Sequence, residues 1–234
     1  MKSAPFLATL AAVAALASAA QARPVVLVEL FTAQGCSSCG PANAYVAGLA
    51  DQKDVVALTW AVDYWDYLGW KDTFAKPEFA DRQRLYAREL GVREVYTPQV
   101  VVDGRAEAPG VKSDAVDRLI RQERRTLADP PDMRLERNGR VGVGSGHRPK
   151  GAAEVWLIRY DPRAQDVEIK AGDNRGETVS ERNVVVQLQR LGAWKGRPVS
   201  FKLPAAPQDG LATVVVLQYA GAGRVIGVLQ EPKS

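Results

Sequence analysis

Two cysteines separated by two residues constrain the fold of this chain more than any other feature. The 234 residues contain no further cysteine. Cys36 and Cys39 follow an apolar run, Val25 to Phe31, that has the length of a buried strand. They precede a segment with helical character, in which Pro41 takes the first turn, where a proline is tolerated. The sequence therefore predicts a CxxC pair at the turn from a strand into a helix.

The position of Cys36 at the start of a helix predicts a reactive sulfur. Unpaired N–H groups and the dipole at a helix N-terminus favour an anion, and the thiolate is the reactive form of cysteine. We therefore expect an exposed Cys36 with a lowered pKa that attacks, and Cys39 as the sulfur that resolves the mixed disulfide. The alternative is a structural disulfide, which in so short a loop adds about 2 kcal/mol at most. The spacing next to a βαβ unit favours the redox-active pair.

The first 22 residues have the pattern of a secretory signal. Lys2 precedes an apolar run from Phe6 to Ala17, and small residues end at Ala22. We expect cleavage after Ala22 and a periplasmic or secreted protein with no membrane span in the mature chain. Removing Lys2 leaves 30 of the 31 basic residues against 27 acidic ones, an excess too small to indicate a nucleic-acid partner.

The residues after the cysteines alternate between strand and helix patterns. Val55 to Ala61 predicts a second strand, and Pro77 to Leu90 predicts an amphipathic helix. A β-branched run, Val100 to Val102, forms a predicted hairpin with Arg105 to Ala108. A helix that Ser113 caps completes the order β-α-β-α-β-β-α, which predicts an α/β domain over residues 23–128.

The pattern changes after Asp129-Pro130-Pro131-Asp132, where short alternating segments are separated by turns. Such spacing predicts a small, mostly antiparallel, sandwich-like β domain over residues 129–234. One segment, Asn183 to Leu191, has helical character instead. The sequence thus predicts a signal peptide over residues 1–22, an α/β domain over 23–128 and a β-rich domain over 129–234.

Several blocks of sequence resemble a known family. The CxxC motif and the later Thr-Pro resemble the thioredoxin fold, and FTAQGCSSCGPANAYVAGLA, VDYWDYLGWKDTF, YTPQVVVDG and GDNRGETVSERNVVVQLQRLGAW are similar to the exported, thioredoxin-like bacterial proteins called DUF1223, whose function is unassigned. The resemblance implies a thioredoxin-like fold for residues 23–128 and identifies Cys36 and Cys39 as the family's cysteine pair. It further implies that Pro98 is cis, lies beside the disulfide and, with Thr97, presents backbone to an extended substrate.

The stretch from Asp63 to Asp72 is aromatic and acidic. Trp65 is a candidate for the wall of a substrate groove, and Asp63 or Asp66 is a candidate proton acceptor for Cys39. The alternatives are aromatic packing beneath a loop and carboxylates that bind loop amides, as buried carboxylates usually do.

Three classes of function remain open from the sequence. The first is a thiol-disulfide oxidoreductase that acts on the thiols or disulfides of exported proteins, docks them at Thr97 and Pro98, and exchanges electrons with an unidentified redox partner. The second is a non-catalytic binding scaffold, and the third is a Cu(I) handler that uses the cysteines alone. We expect no cofactor and no resident metal, since two cysteines and the remote His147 fall short of the four ligands of a structural zinc site.

Overall fold

The computed structural model describes residues 25–126, 130–147 and 149–231. The predicted signal peptide over residues 1–22 lies outside these ranges, and so does the predicted domain boundary between residues 128 and 129. The first half alternates strands and helices in the predicted order. Its elements are β1 (Val26–Thr32), α1 (Gly40–Leu49), β2 (Val55–Ala61), α2 (Pro77–Glu89), β3 (Gln99–Val102), β4 (Ala106–Pro109) and α3 (Ser113–Thr126), with a 3-10 turn at Asp66–Leu68.

The strands of the first half lie in the order β2-β1-β3-β4. β1 and β2 are parallel and α1 makes the crossover that a parallel pair needs, whereas β3 runs antiparallel to β1 and β4 antiparallel to β3. Every residue of β1 and β2 is buried, because α1 and α3 cover one face of these strands and α2 covers the other. Among the described helices, none is both long and apolar enough to cross a bilayer.

The second half consists of strands and turns over the residues that the structure describes. The strands are β5 (Met133–Glu136), β6 (Arg140–Val143), β7 (Ala153–Asp161), β8 (Gln165–Glu168), β9 (Thr178–Glu181), β10 (Val184–Trp194), β11 (Val199–Lys202), β12 (Ala212–Tyr219) and β13 (Val225–Gln230). β11, β6 and β5 form a small antiparallel sheet, and β8 pairs with β9 in a hairpin. The short strands expected from the turn spacing are therefore present.

The expectation of a separate sandwich was wrong for four of these strands. Within the described residues, β13, β12, β7 and β10 join the first four strands in one sheet of order β13-β12-β7-β10-β2-β1-β3-β4. The burial of β12 gives the reason. Val214 to Leu217 are all buried, so both faces of this strand pack against other elements, as they do in the interior of a large sheet. Turn signals in a sequence mark where a strand ends, but they do not identify its neighbour.

The segment Asn183 to Leu191, which has helical character in the sequence, is a strand in the structure. β10 pairs with β7 along its length and meets β2 at one position, Val184 opposite Thr59. Three consecutive valines at its start, Val184 to Val186, suit a strand between two neighbours, and this tertiary pairing decides the local conformation.

A buried ion pair crosses the interface between α2 and the large sheet. Arg82 on α2 donates from Nε to Glu29 Oε1 on β1 at 2.7 Å, and both side chains are almost fully buried. Arg82 Nη2 also donates to the Tyr86 hydroxyl at 2.8 Å and to Gln218 Oε1 on β12 at 3.2 Å. These four residues, which we call the Glu29 network, join the first half of the chain to the second.

Candidate functional site

Cys36 and Cys39 form a disulfide at the turn from β1 into α1, with their Cα atoms 5.5 Å apart. Cys39 is the residue before the first residue of α1, and its carbonyl accepts a hydrogen bond of 2.9 Å from the Asn43 N–H. The predicted placement of the pair between a strand and a helix is therefore confirmed. The roles of the two sulfurs in attack and resolution stay predictions.

The expectation of an exposed Cys36 was wrong. Cys36 is 3% exposed and Cys39 is 1% exposed, and both belong to the apolar core. Because β1 is buried over its whole length, the turn after it begins inside the protein, and the Cys36 N–H donates to the Ala33 carbonyl at 3.1 Å. Between the cysteines, Ser37 and Ser38 reach the solvent, and Ser38 Oγ lies 3.6 Å from Cys36 Sγ.

The three residues predicted to bind a substrate all lie beside this turn. Trp65 Nε1 donates to Thr97 Oγ1 at 2.7 Å, and a Cβ added to Gly35 would lie 3.5 Å from Trp65 Cβ. The Thr97–Pro98 peptide bond is cis. Pro98 adjoins α1, since a Cβ added to Gly110 would lie 3.1 Å from Pro98 Cβ and 2.9 Å from Ala42 Cβ. The fold thus brings Trp65 and its partner Thr97 to the turn that holds the cysteines, and the buried Pro98 to the first turn of α1, while their binding role stays a prediction.

The two candidate proton acceptors lie in the 3-10 turn region. Asp66 Oδ1 accepts the Asp72 N–H at 3.1 Å, and the Asp66 N–H donates to the Asp63 carbonyl at 3.1 Å. These bonds support the alternative in which Asp66 orders the loop. A proton-acceptor role for Asp63 or Asp66 stays a prediction.

A set of buried polar residues surrounds the backbone just before the cysteines. The Gln34 N–H donates to Asp72 Oδ2 at 2.7 Å, and its carbonyl accepts from Asn174 Nδ2 at 2.7 Å. The Gln34 side chain accepts from Trp70 Nε1 at 2.9 Å and donates to Thr73 Oγ1 at 2.8 Å. We call this set the Gln34 cluster; it contains Gln34, Trp70, Asp72, Thr73, Asn174 and Glu181.

The Gln34 cluster was missed by the sequence analysis because its members come from three distant segments. Asn174 is 140 positions from Gln34, and no local spacing links them. The one available signal was a pair of polar residues, Thr32 and Gln34, directly after an apolar strand. Such residues at a strand end are usually hydrogen-bonded when they are buried.

Glu181, the last residue of β9, is the least satisfied member of the Gln34 cluster. It is 1% exposed, neither of its carboxylate oxygens has a direct hydrogen-bond partner among the described residues, and its polar contact with the Gln34 side chain is a longer one. Burial raises the pKa of Glu181 to about 8, the negative charge of Asp72 adds to the rise, and the amide of Gln34 opposes it. Burial also raises the pKa of Asp72, although its bonds to the N–H groups of Gln34, Phe74 and Ala75 oppose that change.

Metal ligands are sparse around the disulfide. Over the described ranges, no three His, Cys, Asp or Glu side chains come together as a metal site requires. His147 is exposed in the loop after β6, and the two sulfurs are bonded to each other. Binding of Cu(I) by the cysteines would therefore require prior reduction of the disulfide.

A comparison with known protein families covers the part of the chain that contains this site. A family model described as a protein of unknown function (DUF1223) matches residues 27–218. The chain belongs to this family. The matched region includes the cysteine pair, Trp65, Thr97, Pro98 and Glu181, so the DUF1223 resemblance drawn from the sequence blocks is confirmed.

Two solved structures resemble this DUF1223 protein. The crystal structure of a protein from Agrobacterium tumefaciens is 32% identical, with a TM-score of 0.73, and the match covers 91% of this chain and 97% of that one. HBP35 of Porphyromonas gingivalis is 12% identical, with a TM-score of 0.59, over 90% of this chain and 76% of that one. The second likeness concerns the fold alone. No curated protein matches the chain.

We expect Trp65→Phe to lower the free energy of unfolding by about 1 kcal/mol, the usual contribution of one hydrogen bond. Phenylalanine keeps the aromatic packing of the DUF1223 protein but removes the 2.7 Å bond from Trp65 Nε1 to Thr97 Oγ1. Urea unfolding of the oxidised protein measures the change. Tyr67→Phe is the matched control, because Tyr67 is 79% exposed two residues further on. Equal stability of the two variants would contradict a structural role for the bond.

Proposed function

We propose that the protein is an exported thiol-disulfide oxidoreductase built on a thioredoxin-like unit over residues 23–128. The order β-α-β-α-β-β-α and the strand arrangement β2-β1-β3-β4 support the thioredoxin-like assignment. The Thr-Pro ahead of β3, at the side of α1, supports it as well. The signal-like sequence over residues 1–22 supports a periplasmic or secreted location.

The observation that carries the proposal is the position of the disulfide. Cys36 and Cys39 are three positions apart, and so small a ring adds only about 2 kcal/mol of stability in the chain-entropy model. Trp65 lies against Gly35, next to Cys36, and together with its partner Thr97 it borders the turn with a half-buried surface, while Pro98 is buried beside α1. A bond used only for stability has no need of this border, whereas an exchange site uses it to hold the backbone of a partner protein.

The exchange proceeds through a mixed disulfide. The Cys36 thiolate attacks one sulfur of a substrate disulfide, forms a bond to it and releases the other sulfur as a thiolate. The Cys39 thiolate then attacks Cys36 Sγ, restores the Cys36–Cys39 bond and releases the second substrate sulfur. The substrate has gained two electrons, and its two thiolates take up protons according to pH. A protein dithiol supplies the two electrons that return Cys36 and Cys39 to thiols.

A non-catalytic scaffold is the second candidate, and the burial of both sulfurs favours it. With Cys36 3% exposed, a partner's thiolate reaches its sulfur only when the turn holding Ser37 and Ser38 moves. In the oxidoreductase this barrier limits exchange to partners that dock and displace the turn. In the scaffold the disulfide stays closed to every thiol of the folded protein.

A mixed-disulfide trap separates the two candidates. Cys39→Ser lacks the resolving sulfur, so we expect it to accumulate a covalent complex with a protein disulfide such as insulin, at Cys36. Cys36→Ser is the matched control and should form no such complex. The wild type should reduce insulin in the presence of a small dithiol. Failure of the wild type to react, together with a Cys39→Ser thiol that resists alkylation in the folded state, would leave only the scaffold.

A further inference from the structure

A cavity of about 500 Å³ lies where the loop from β6 to β7 meets the hairpin of β12 and β13. Its volume is within the range of small-molecule sites in proteins. Most of the wall is aromatic or aliphatic and comes from Pro130, Pro131, Pro149, Trp194, Tyr219 and Ile226. The side chains of Ser145, His147 and Arg224 are its polar part. The cavity shares no described residue with the site around the cysteine pair.

Arg224 has no partner that explains its position. Four other arginines of the described ranges are also not exposed, and each has a partner: Glu29 for Arg82, Ser200 for Arg140, the carbonyls of Pro204 and Ala205 for Arg159, and Asp51 for Arg182. The guanidinium of Arg224 is half-buried, and among the described residues it makes no hydrogen bond, ion pair or ring contact. Partial burial removes water from donors that the chain does not satisfy. A partner from outside the chain is therefore indicated.

The cavity has a positive charge that no acid in its wall balances. Among the described lining residues, Arg224 and His147 are the ones that can be cationic, and none is an aspartate or a glutamate. Glu89 approaches the neighbouring turn, since a Cβ added to Gly223 would lie 3.5 Å from Glu89 Oε1, but no ion pair joins Glu89 to Arg224. The planar fork of a guanidinium matches the two oxygens of a carboxylate. The charge of the wall thus favours an anion.

Hydrogen bonds hold both walls of the cavity in place. On one side, Trp194 Nε1 donates to the Gly144 carbonyl at 3.0 Å, and a Cβ added to Gly146 would lie only 3.1 Å from Trp194 Cη2, so the loop lies directly on the indole. On the other side, the Tyr219 N–H donates to the Arg224 carbonyl at 3.0 Å across the turn from β12 to β13. A preformed cavity needs little ordering when a ligand binds.

We propose that this cavity binds a small organic acid in which a single carboxylate is attached to an aromatic or aliphatic body. Arg224 binds the carboxylate, and the body lies against Trp194, Tyr219 and the prolines. One guanidinium balances one negative charge, and the mostly apolar wall disfavours a strongly hydrated dianion such as phosphate. This binding site is independent of the proposed oxidoreductase function, because it uses neither the cysteines nor the residues that border them.

The test is the affinity of the oxidised protein for phenylacetate, followed by NMR through the indole N–H signal of Trp194. Phenylacetamide has nearly the same shape without the charge, and acetate has the charge without the ring. We expect phenylacetamide to bind about tenfold more weakly than phenylacetate, because a hydrogen bond between charged groups contributes more than one to a neutral group. Acetate should also bind more weakly than phenylacetate, because it leaves the aromatic wall uncovered.

A pair of arginine variants locates the charge that acts on the ligand. Arg224→Gln should bind phenylacetate about tenfold more weakly than the wild type does, while its affinity for phenylacetamide should stay the same. Arg175→Gln is the matched control. Arg175 is exposed in the loop between β8 and β9, outside the cavity wall, so this variant loses the same charge and should bind phenylacetate as the wild type does.

Three results would each contradict the proposal. Equal affinity of the wild type for phenylacetate and phenylacetamide would show that no cation acts in the cavity, and this comparison needs no variant to fold. Equal affinity of the wild type and Arg224→Gln for phenylacetate would show that the cation is not Arg224. A Trp194 signal that does not shift at about 10 mM phenylacetate would show that the cavity takes no such acid. None of these results affects the insulin test of the cysteine pair.

Discussion

Replacing Arg82 with methionine is expected to lower the free energy of unfolding by about 3–5 kcal/mol, as the removal of one partner of a buried ion pair does. Arg82 donates to both oxygens of Glu29, at 2.7 and 3.1 Å, and Arg82 itself is 3% exposed. Methionine fills a similar space but leaves the buried Glu29 carboxylate without its cation, with the Tyr86 hydroxyl as its remaining side-chain donor. Urea unfolding of the oxidised protein at pH 7 measures the loss.

The same helix supplies a control for this prediction. Arg84 pairs with Asp81 at 2.8 Å, yet both side chains are exposed, so Arg84→Met should change stability by less than about 1 kcal/mol. Adding Glu29→Gln to Arg82→Met removes the unpaired charge and keeps an acceptor for the Tyr86 hydroxyl, which bonds to Glu29. We expect this second change to restore part of the stability. Equal losses in Arg82→Met and Arg84→Met would show that burial of the pair has no consequence.

The wild type should lose stability as the pH rises from about 5 to about 8, by a few kcal/mol more than Glu181→Gln does. Burial raises the pKa of Glu181 to about 8 in the folded protein, well above that of an exposed glutamate. The folded state holds this proton more tightly than the unfolded state. The stability gained from the proton is therefore complete below the pKa of Glu181 in the unfolded chain, and it disappears as the pH rises through the pKa of Glu181 in the folded protein. One pKa unit corresponds to about 1.4 kcal/mol.

The difference between variants isolates this effect. The pKa of Asp103 is also raised by burial, to about 7, and lowers stability over a similar range, but it does so equally in the wild type and in Glu181→Gln. Glu177→Gln should retain the pH dependence of the wild type, because Glu177 is exposed. Chemical denaturation at several pH values provides the comparison. Parallel curves for the wild type and Glu181→Gln would mean that Glu181 is ionised in the folded protein at neutral pH.

Local pattern was sufficient to predict most elements of the first half. Val55 to Ala61 matches β2 residue for residue, and the helix predicted to begin at Pro77 does so. These segments carry their own signals, either a fully apolar run or an apolar stripe with a proline at its start. The second half was harder, because the neighbours of β7, β10 and β12 in the sheet depend on pairings between distant residues. Val184 to Val186, read as part of a helix, became a strand for the same reason.

The residues of the candidate site likewise fall into those that the sequence predicted and those that it did not. The cysteine pair was predicted from its spacing beside a βαβ pattern, Thr97 and Pro98 from the family resemblance, and Trp65 from an aromatic and acidic stretch. The structure places Trp65 against Gly35 and Thr97. Burial was not predictable, since nothing in the CSSC segment reports how deeply the end of β1 lies in the core. Glu181 was missed because a single glutamate between Ser180 and Arg182 has the appearance of a solvated turn.

The strand order has a consequence for the newly made polypeptide. β2 has β1 on one edge, but its other neighbour, β10, begins only at Val184. The Gln34 carbonyl likewise gains its hydrogen bond from Asn174 Nδ2 only after Asn174 has been synthesised. While the chain is being synthesised, a nascent segment that already holds both cysteines therefore exposes an unpaired strand edge to other chains. The contacts of Thr59 with β10 and of the Gln34 carbonyl with Asn174 can form only after residues 174–184 have been synthesised.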